Sequence, residues 1–209
     1  MEHLIVTGNV ATGKSFITEI ILHSFEDVVL YPEFIYQDSF AMELMKRKFQ
    51  NKLSALTFQN YILDKWCLNI KMNESMSGIK LYERLPDDAV KIFAKLYLNK
   101  SEYMIQKERL KQINLNVPSY HHMNKLNCTW IRYSNEWDRD INELIKLIKT
   151  IKTKFVVIEV KSKSAFDNYR HRNRQEEFYT LEEINKLQEI YDEFTEKQVM
   201  KIGCEIIEM

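Results

Sequence analysis

The stretch His3-Leu4-Ile5-Val6-Thr7-Gly8-Asn9-Val10-Ala11-Thr12-Gly13-Lys14-Ser15 decides the fold of this chain. His3 to Val6 is a short apolar run that reads as a buried strand. Gly8 to Ser15 match G-x-x-x-x-G-K-[ST], and Phe16 to Phe25 continue at helical spacing. Strand, glycine loop and helix in that order are the context the motif needs. Glycine lets the backbone curl around a phosphate, and successive N–H groups with the helix N-terminus attract the anion. Lys14 is then placed for the β- and γ-phosphates of a nucleotide and Ser15 for a Mg²⁺ ion. Gly8, Asn9, Val10, Ala11, Thr12, Gly13, Lys14 and Ser15 are therefore the candidate nucleotide-phosphate site.

Working outward, Val28 to Tyr31 reads as a second strand, cut by Pro32. A long helical region follows, with Phe40, Leu44, Leu56, Tyr61, Ile62 and Trp66 at apolar positions, and Gly78 ends it. Ile79 to Tyr82 is a third strand, after which Asp87 or Asp88 can start a helix carrying Val90, Phe93, Ala94 and Tyr97. Asn114 to Trp137, with Pro118 and several Asn, shows no period and reads as a loop or lid-like insertion. Asp140 and Glu143 suit the cap of a helix whose apolar face is Ile141, Leu144, Ile145, Ile148 and Ile151. Phe155 to Val160 then reads as a buried strand. Thr180 and Glu183 form a capping box ahead of Ile184, Leu187, Tyr191 and Phe194, and Ile202 to Ile207 closes the chain as a strand.

Strands alternating with helices require crossover connections, so the prediction is an α/β fold. Its parallel sheet of about five strands is covered by helices on both faces, with ligands at the carboxyl ends of the strands. A length of 209 residues suits one domain, residues 1–209, with a core that needs no disulfide or structural metal.

Basic and acidic residues number 30 each, so the chain lacks the general charge that non-specific nucleic-acid binding needs, and any anion site must be local. Cys67, Cys128 and Cys204 form no C-x-x-C pair and read as free thiols of a reducing compartment. His121 and His122 with Cys128 are too few for a metal site. Neither a signal-peptide core nor a membrane-length run is present, which predicts a soluble, cytoplasmic protein without a membrane partner.

The strand ends carry the remaining chemistry. Glu33 stands beside Pro32 after the second strand, and Glu83-Arg84 ends the third. Facing the phosphate loop, these supply a general base, a carboxylate near the metal and a guanidinium beside the transferred phosphoryl group. Arg170, His171, Arg172 and Arg174 run into Glu176 and Glu177, a run that by itself reads as a solvated helix face.

In combination these residues reach a recognisable family. The chain resembles the deoxynucleoside kinases, through Gly8 to Ser15, Phe58-Gln59-Asn60-Tyr61, Glu83-Arg84 running on to Ile92-Phe93-Ala94, and Arg172-Asn173-Arg174-Gln175-Glu176-Glu177. The resemblance implies a P-loop kinase with an Arg-rich lid, ATP as donor, Mg²⁺, a nucleoside acceptor and a homodimer. It assigns Glu33 as general base for the sugar 5′-hydroxyl, although the family writes Glu-Pro where this chain has Pro32-Glu33. Gln59 would pair with the base, Phe93 would stack on it and Phe58 would line the pocket. Glu83 would help hold Mg²⁺, and Arg84 would sit by the catalytic carboxylate and the phosphates, with Leu85 replacing the family serine. Arg170, Arg172 and Arg174 would close over the phosphates, and Glu177 would contact the 3′-hydroxyl. The family tyrosine that shares this contact has no counterpart among Lys46, Lys48 and Phe49. Ala89 stands where a small residue accompanies pyrimidine-preferring or broad members.

Other readings compete. A thymidylate or other nucleoside-monophosphate kinase needs an extra basic group for the acceptor phosphate, for which Arg47 is the candidate. A catalytically silent nucleotide-binding regulator would keep the loop and lose the acceptor site. A nucleic-acid binder would rest on the Arg cluster and the aromatic residues, against a net charge of zero. If Glu33 is not the base, Asp38 is the next carboxylate to consider.

Overall fold

The computed structural model describes residues 1–72, 75–113, 117–134, 140–162 and 178–209. Leu4, Ile5 and Val6 have no solvent exposure, so both faces of β1 (His3–Thr7) are covered, as a central strand of a parallel sheet requires. The other strands are β2 (Val28–Tyr31), β3 (Ile79–Glu83), β4 (Cys128–Ser134), β5 (Phe155–Lys161) and β6 (Glu205–Glu208). They form one 6-stranded sheet in the order β2-β3-β1-β5-β4-β6, with every neighbouring pair parallel.

Alternation along the strands builds two cores. Ile5 pairs in register with Tyr82 and Val157, and these with Trp130 face one side. There α2 (Ser39–Phe49), α3 (Ala55–Met72) and α7 (Leu181–Ile202) pack. A helical run over residues 86–97, here α4, joins them; its middle, Ala89–Ala94, is π-helical. Leu4, Val6, Leu81, Val156 and Ile158 face the other side, beneath α1 (Lys14–Ser24) and α6 (Ile141–Thr150). Outside α3 and α4 lies α5 (Lys100–Ile113).

Local signals behave as their chemistry dictates. Thr180 Oγ1 accepts from the Glu183 amide at 3.2 Å while Glu183 Oε2 accepts from the Thr180 amide at 2.9 Å, the reciprocal box predicted for α7. Asp140 caps α6 through the Asn142 amide at 2.7 Å. The helix after β3 begins at Pro86, earlier than the predicted aspartates, because proline suits the first helical position. Asp88 instead reaches back to accept from the Leu85 amide at 2.7 Å.

The segment predicted to be a loop, Asn114 to Trp137, contains β4, which lies between β5 and β6 and makes the sheet six strands rather than about five. Cys128, Thr129, Trp130 and Ile131 are all buried, so the strand has no polar face and no alternation to betray it. Asn124 and Asn127 belong to the turn before it, where Asn127 Oδ1 accepts from the Asn124 amide. Among the described residues no helix is long and apolar enough to cross a membrane.

Candidate active site

β2, β3 and β1 are adjacent, so their carboxyl ends bring Glu33, Glu83-Arg84 and the glycine loop together. The Arg84 amide donates to the Val6 carbonyl at 2.9 Å, extending the ladder one step past β3. The loop then turns sharply. Gly8 has φ 147° and a Cβ there would lie 2.4 Å from the Val160 carbonyl oxygen, so only glycine fits. Gly13 has φ 94° and precedes α1, whose N-terminus has no side-chain cap and no acidic residue in its first turn. The positive end of the helix dipole is therefore not offset by an acidic side chain there and favours an anion.

Lys14 is 3% exposed and its ammonium donates to the Asn9 carbonyl at 2.5 Å, folded over the loop it would share with a phosphate. Asn9 Nδ2 donates to the Ile184 carbonyl at 3.1 Å and to Gln188 Oε1 at 3.0 Å, which ties the loop to the first turns of α7. Ser15 Oγ donates to Glu83 Oε1 at 2.7 Å, and Glu83 Oε2 lies 3.4 Å from the Glu33 amide. Glu83 thus spans the predicted metal position and the predicted base.

Arg84 is the hub. Its guanidinium pairs with Glu33, donates to the Gly8 carbonyl at 3.1 Å and lies 4.8 Å from the centroid of the Phe93 ring. Burial works against its charge, but Glu33 foremost, with Glu83 and Asp88, raises its pKa above the ordinary arginine value. At φ 68° Arg84 occupies the left-handed region, a costly conformation for a side chain of this size. Strain of this kind points to a place where position matters more than stability. Asp38, the alternative base, is occupied elsewhere. It caps α2 through the Phe40 and Ala41 amides and holds Lys65 and Tyr61. Lys65, the α2 amide and Tyr61 together push its pKa down to about 2.

These groups open into a cavity of about 340 Å³ whose walls include Lys14, Ser15, Glu33, Glu83, Arg84, Phe58, Gln59, Ala89 and Phe93. That is the lower end of the range for small-molecule sites. Phe58 and Gln59 project from α3, and Ala89 and Phe93 from the π-helical part of α4. Gln59 is 3% exposed and its Oε1 has no hydrogen-bond partner among the described residues, an orphan acceptor beside a cavity. The rest of its sequence block turns away: Asn60 accepts from Gln106 and Arg109 on α5, and Tyr61 donates to Asp38. Asp87 and Asp88 also turn away, to Lys91 and to the Leu85 amide, so Ala89 alone of these neighbours lines the cavity.

Sequence reasoning missed Met45, Lys48, Trp66, Tyr97 and Tyr179 on the cavity wall. For Lys48 a signal existed. Ala41, Leu44, Met45 and Lys48 form the buried face of α2 at i, i+3, i+4 and i+7, which puts a lysine in an apolar stripe. Arg47, the candidate for an acceptor phosphate, is exposed and does not line the cavity. The predicted lid residues Arg170, Arg172, Arg174 and Glu177 lie outside the described residues.

Residues 4–130, more than half of the chain, match the sequence family described as deoxynucleoside kinase. No sequence among curated proteins matches the chain. Among the solved structures that share the fold are two of deoxyadenosine kinase from M. mycoides. The one with the products dCMP and a flexible dCDP has 16% identity and a TM-score of 0.65, over 98% of this chain and 89% of that one. The one with bound dATP also has 16% identity and a TM-score of 0.65, over 99% and 90%. At this identity the likeness is one of fold.

Proposed function

This chain belongs to the deoxynucleoside kinase family, and from that premise we propose that it transfers the γ-phosphoryl group of ATP to the 5′-hydroxyl of a deoxynucleoside. Phosphorylation of nucleosides follows from the family; the donor, the metal, the residue roles and the choice of acceptor are proposals. The observation that supports this reading is Arg84, which pairs with the carboxylate of Glu33 and donates to the carbonyl of Gly8, so that this carboxylate lies against the glycine loop.

In the proposed step, Glu33 orients the 5′-hydroxyl and accepts its proton as the oxygen attacks in line. Lys14 and Arg84 balance charge on the transferred group. Arg170, Arg172 and Arg174 would add to this, with Glu177 at the 3′-hydroxyl. Ser15 Oγ and Glu83 are hard oxygen donors 2.7 Å apart beside the loop, a set that fits Mg²⁺, which takes one or two protein oxygens and leaves the rest to phosphates and water. Mg²⁺ held by Ser15 and Glu83 would neutralise phosphate charge.

Gln59 would hold the base edge between Phe58 and Phe93. The small Ala89 at the wall favours pyrimidine or broad acceptance. Residues 1–209 would act as one domain. Lys48 supports a second reading, since it is a basic group on the acceptor wall of the kind a nucleoside monophosphate would need.

The test is ADP release with Mg-ATP against thymidine, deoxycytidine, deoxyadenosine, deoxyguanosine, the ribonucleosides and thymidine monophosphate. Deoxyadenosine is included because the two solved structures described above are of a deoxyadenosine kinase. Turnover of one or more deoxynucleosides is expected. Activity confined to the monophosphate, or none at all, would overturn the proposal.

A further inference from the structure

Arg84 stands at φ 68°, and such a conformation persists only where its surroundings hold it. Its own amide donates to the Val6 carbonyl at 2.9 Å, and the next amide, that of Leu85, donates to Asp88 Oδ2 at 2.7 Å. The left-handed residue is thus gripped from both sides, once by β1 and once by a side chain of α4. Asp88 also reaches the far side of the turn. Its Oδ1 accepts from Thr7 Oγ1 and from the Tyr120 hydroxyl, each at 3.3 Å. Thr7 uses its one O–H on Asp88, so its oxygen accepts from the Tyr191 hydroxyl at 2.8 Å. Thr7 precedes Gly8, whose carbonyl accepts from the Arg84 guanidinium. One carboxylate therefore meets both the backbone that launches the arginine and the strand end against which its guanidinium rests.

Capping alone does not account for this arrangement. In form Asp88 is the reach-back half of a capping box, a part that a neutral amide fills as well. Asp88 has no solvent exposure, and Thr7, Tyr120 and Tyr191 around it are buried too. Among the described residues no cation pairs with it, and Arg84 acts on it only through space. A carboxylate buried without a paired cation is costly, and perturbed buried groups of this kind gather at functional sites. Asp88 does not line the cavity, so it touches neither substrate. Any effect it has on the reaction passes through Arg84.

We propose that Asp88 is a positioning residue: by holding the Leu85 amide it keeps the Arg84 backbone in the left-handed turn that aims the guanidinium at Glu33 and the transferred phosphoryl group. The proposal rests on the nucleoside kinase reading above, and its test separates the two.

Wild type, Asp88→Ala and Asp88→Asn would be compared in steady-state kinetics with Mg-ATP and a deoxynucleoside that the wild type turns over. Misplacement of Arg84 should lower the kcat of Asp88→Ala by about 10- to 100-fold. The KM values for ATP and nucleoside should stay within about 3-fold, because Asp88 touches neither. Asp88→Asn keeps an acceptor for the Leu85 amide and should recover most of the loss. An unchanged kcat, a loss carried by KM, or an Asn variant as slow as the Ala variant would overturn the role of Asp88 while the kinase reading stands. Wild type that turns over no nucleoside would overturn both. An Arg84→Gly background supplies a second measurement, since glycine takes the left-handed conformation without a clamp. The gap in urea midpoint between Asp88→Ala and Asp88→Asn, which isolates the held amide from the lost charge, should narrow there; an equal gap would overturn the proposal. Should Asp88→Ala alone fail to fold by circular dichroism, its combination with Arg84→Gly should fold, and failure of that double variant would likewise overturn it.

Discussion

The two ends of the cavity are built on opposite principles. At the proposed phosphate end most charged groups are engaged with one another, Lys14 on Asn9, Ser15 on Glu83, Glu33 on Arg84 and Arg84 on Gly8, with the Arg84 Nε left without a partner among the described residues. At the acceptor end Gln59 holds an orphan carbonyl oxygen and Lys48 an ammonium against two rings. Preorganised charge serves chemistry, because dipoles that need not move at the moment of transfer cost no reorganisation. Orphan polar groups serve discrimination, because the wrong ligand leaves them unmatched and the right one repairs them. Rate should therefore fail at one end and selectivity at the other.

The largest expected effect breaks the phosphate end. Glu33→Gln keeps the shape but removes the proposed base and one side of the Arg84 pair, and should lower kcat by about 10² to 10⁴ while ATP binding by calorimetry stays nearly intact. Unchanged turnover would remove Glu33 from the mechanism.

A smaller effect, of the other kind, is expected from Gln59→Leu. Acceptor kcat/KM should fall by about 10- to 100-fold. The melting temperature should hold or rise, since the substitution removes a buried unsatisfied oxygen. A fall of several degrees would mean that Gln59 is a structural residue and that the contrast between the ends is false.

The smallest effects are in stability and have opposite signs. Burial raises Asp88, behind the phosphate end, from 3.8 to about 6, against the Leu85 amide and Arg84. The folded state then binds the extra proton, so this group's contribution falls as pH rises from about 4 to 6. Burial lowers Lys48 from 10.5 to about 7. There the unfolded state binds the extra proton, so stability rises with pH from about 7 to 10.5. Denaturant unfolding across pH, wild type against Asp88→Asn and Lys48→Met, should show each slope flatten in its own window. A slope unchanged by its own variant would refute that assignment.

How much could be read beforehand follows the same division. The loop and its conformation at Gly8 and Gly13 were legible because the turn is contiguous backbone that only certain residues permit. Thr180 with Glu183 and Asp140 were legible for the same reason. Glu33, Glu83 and Arg84 were found from strand ends, and the sheet order puts them together. β4 was missed because burial on both faces erased its period. Lys48 was missed because a lysine in a sequence reads as solvent-facing until the rest of its stripe, Ala41, Leu44 and Met45, is seen to be buried.

By itself, the sequence determined the phosphate loop, the parallel α/β architecture and the residues at its strand ends, since these depend on local conformation and on the period of apolar side chains. Only the tertiary structure decided that Gln59 from α3, Lys48 from α2, Phe93 and Tyr97 from α4 and Tyr179 ahead of α7 share one cavity. Their meeting is set by the packing of separate helices against one another, and no local rule encodes which of their side chains end up facing one another.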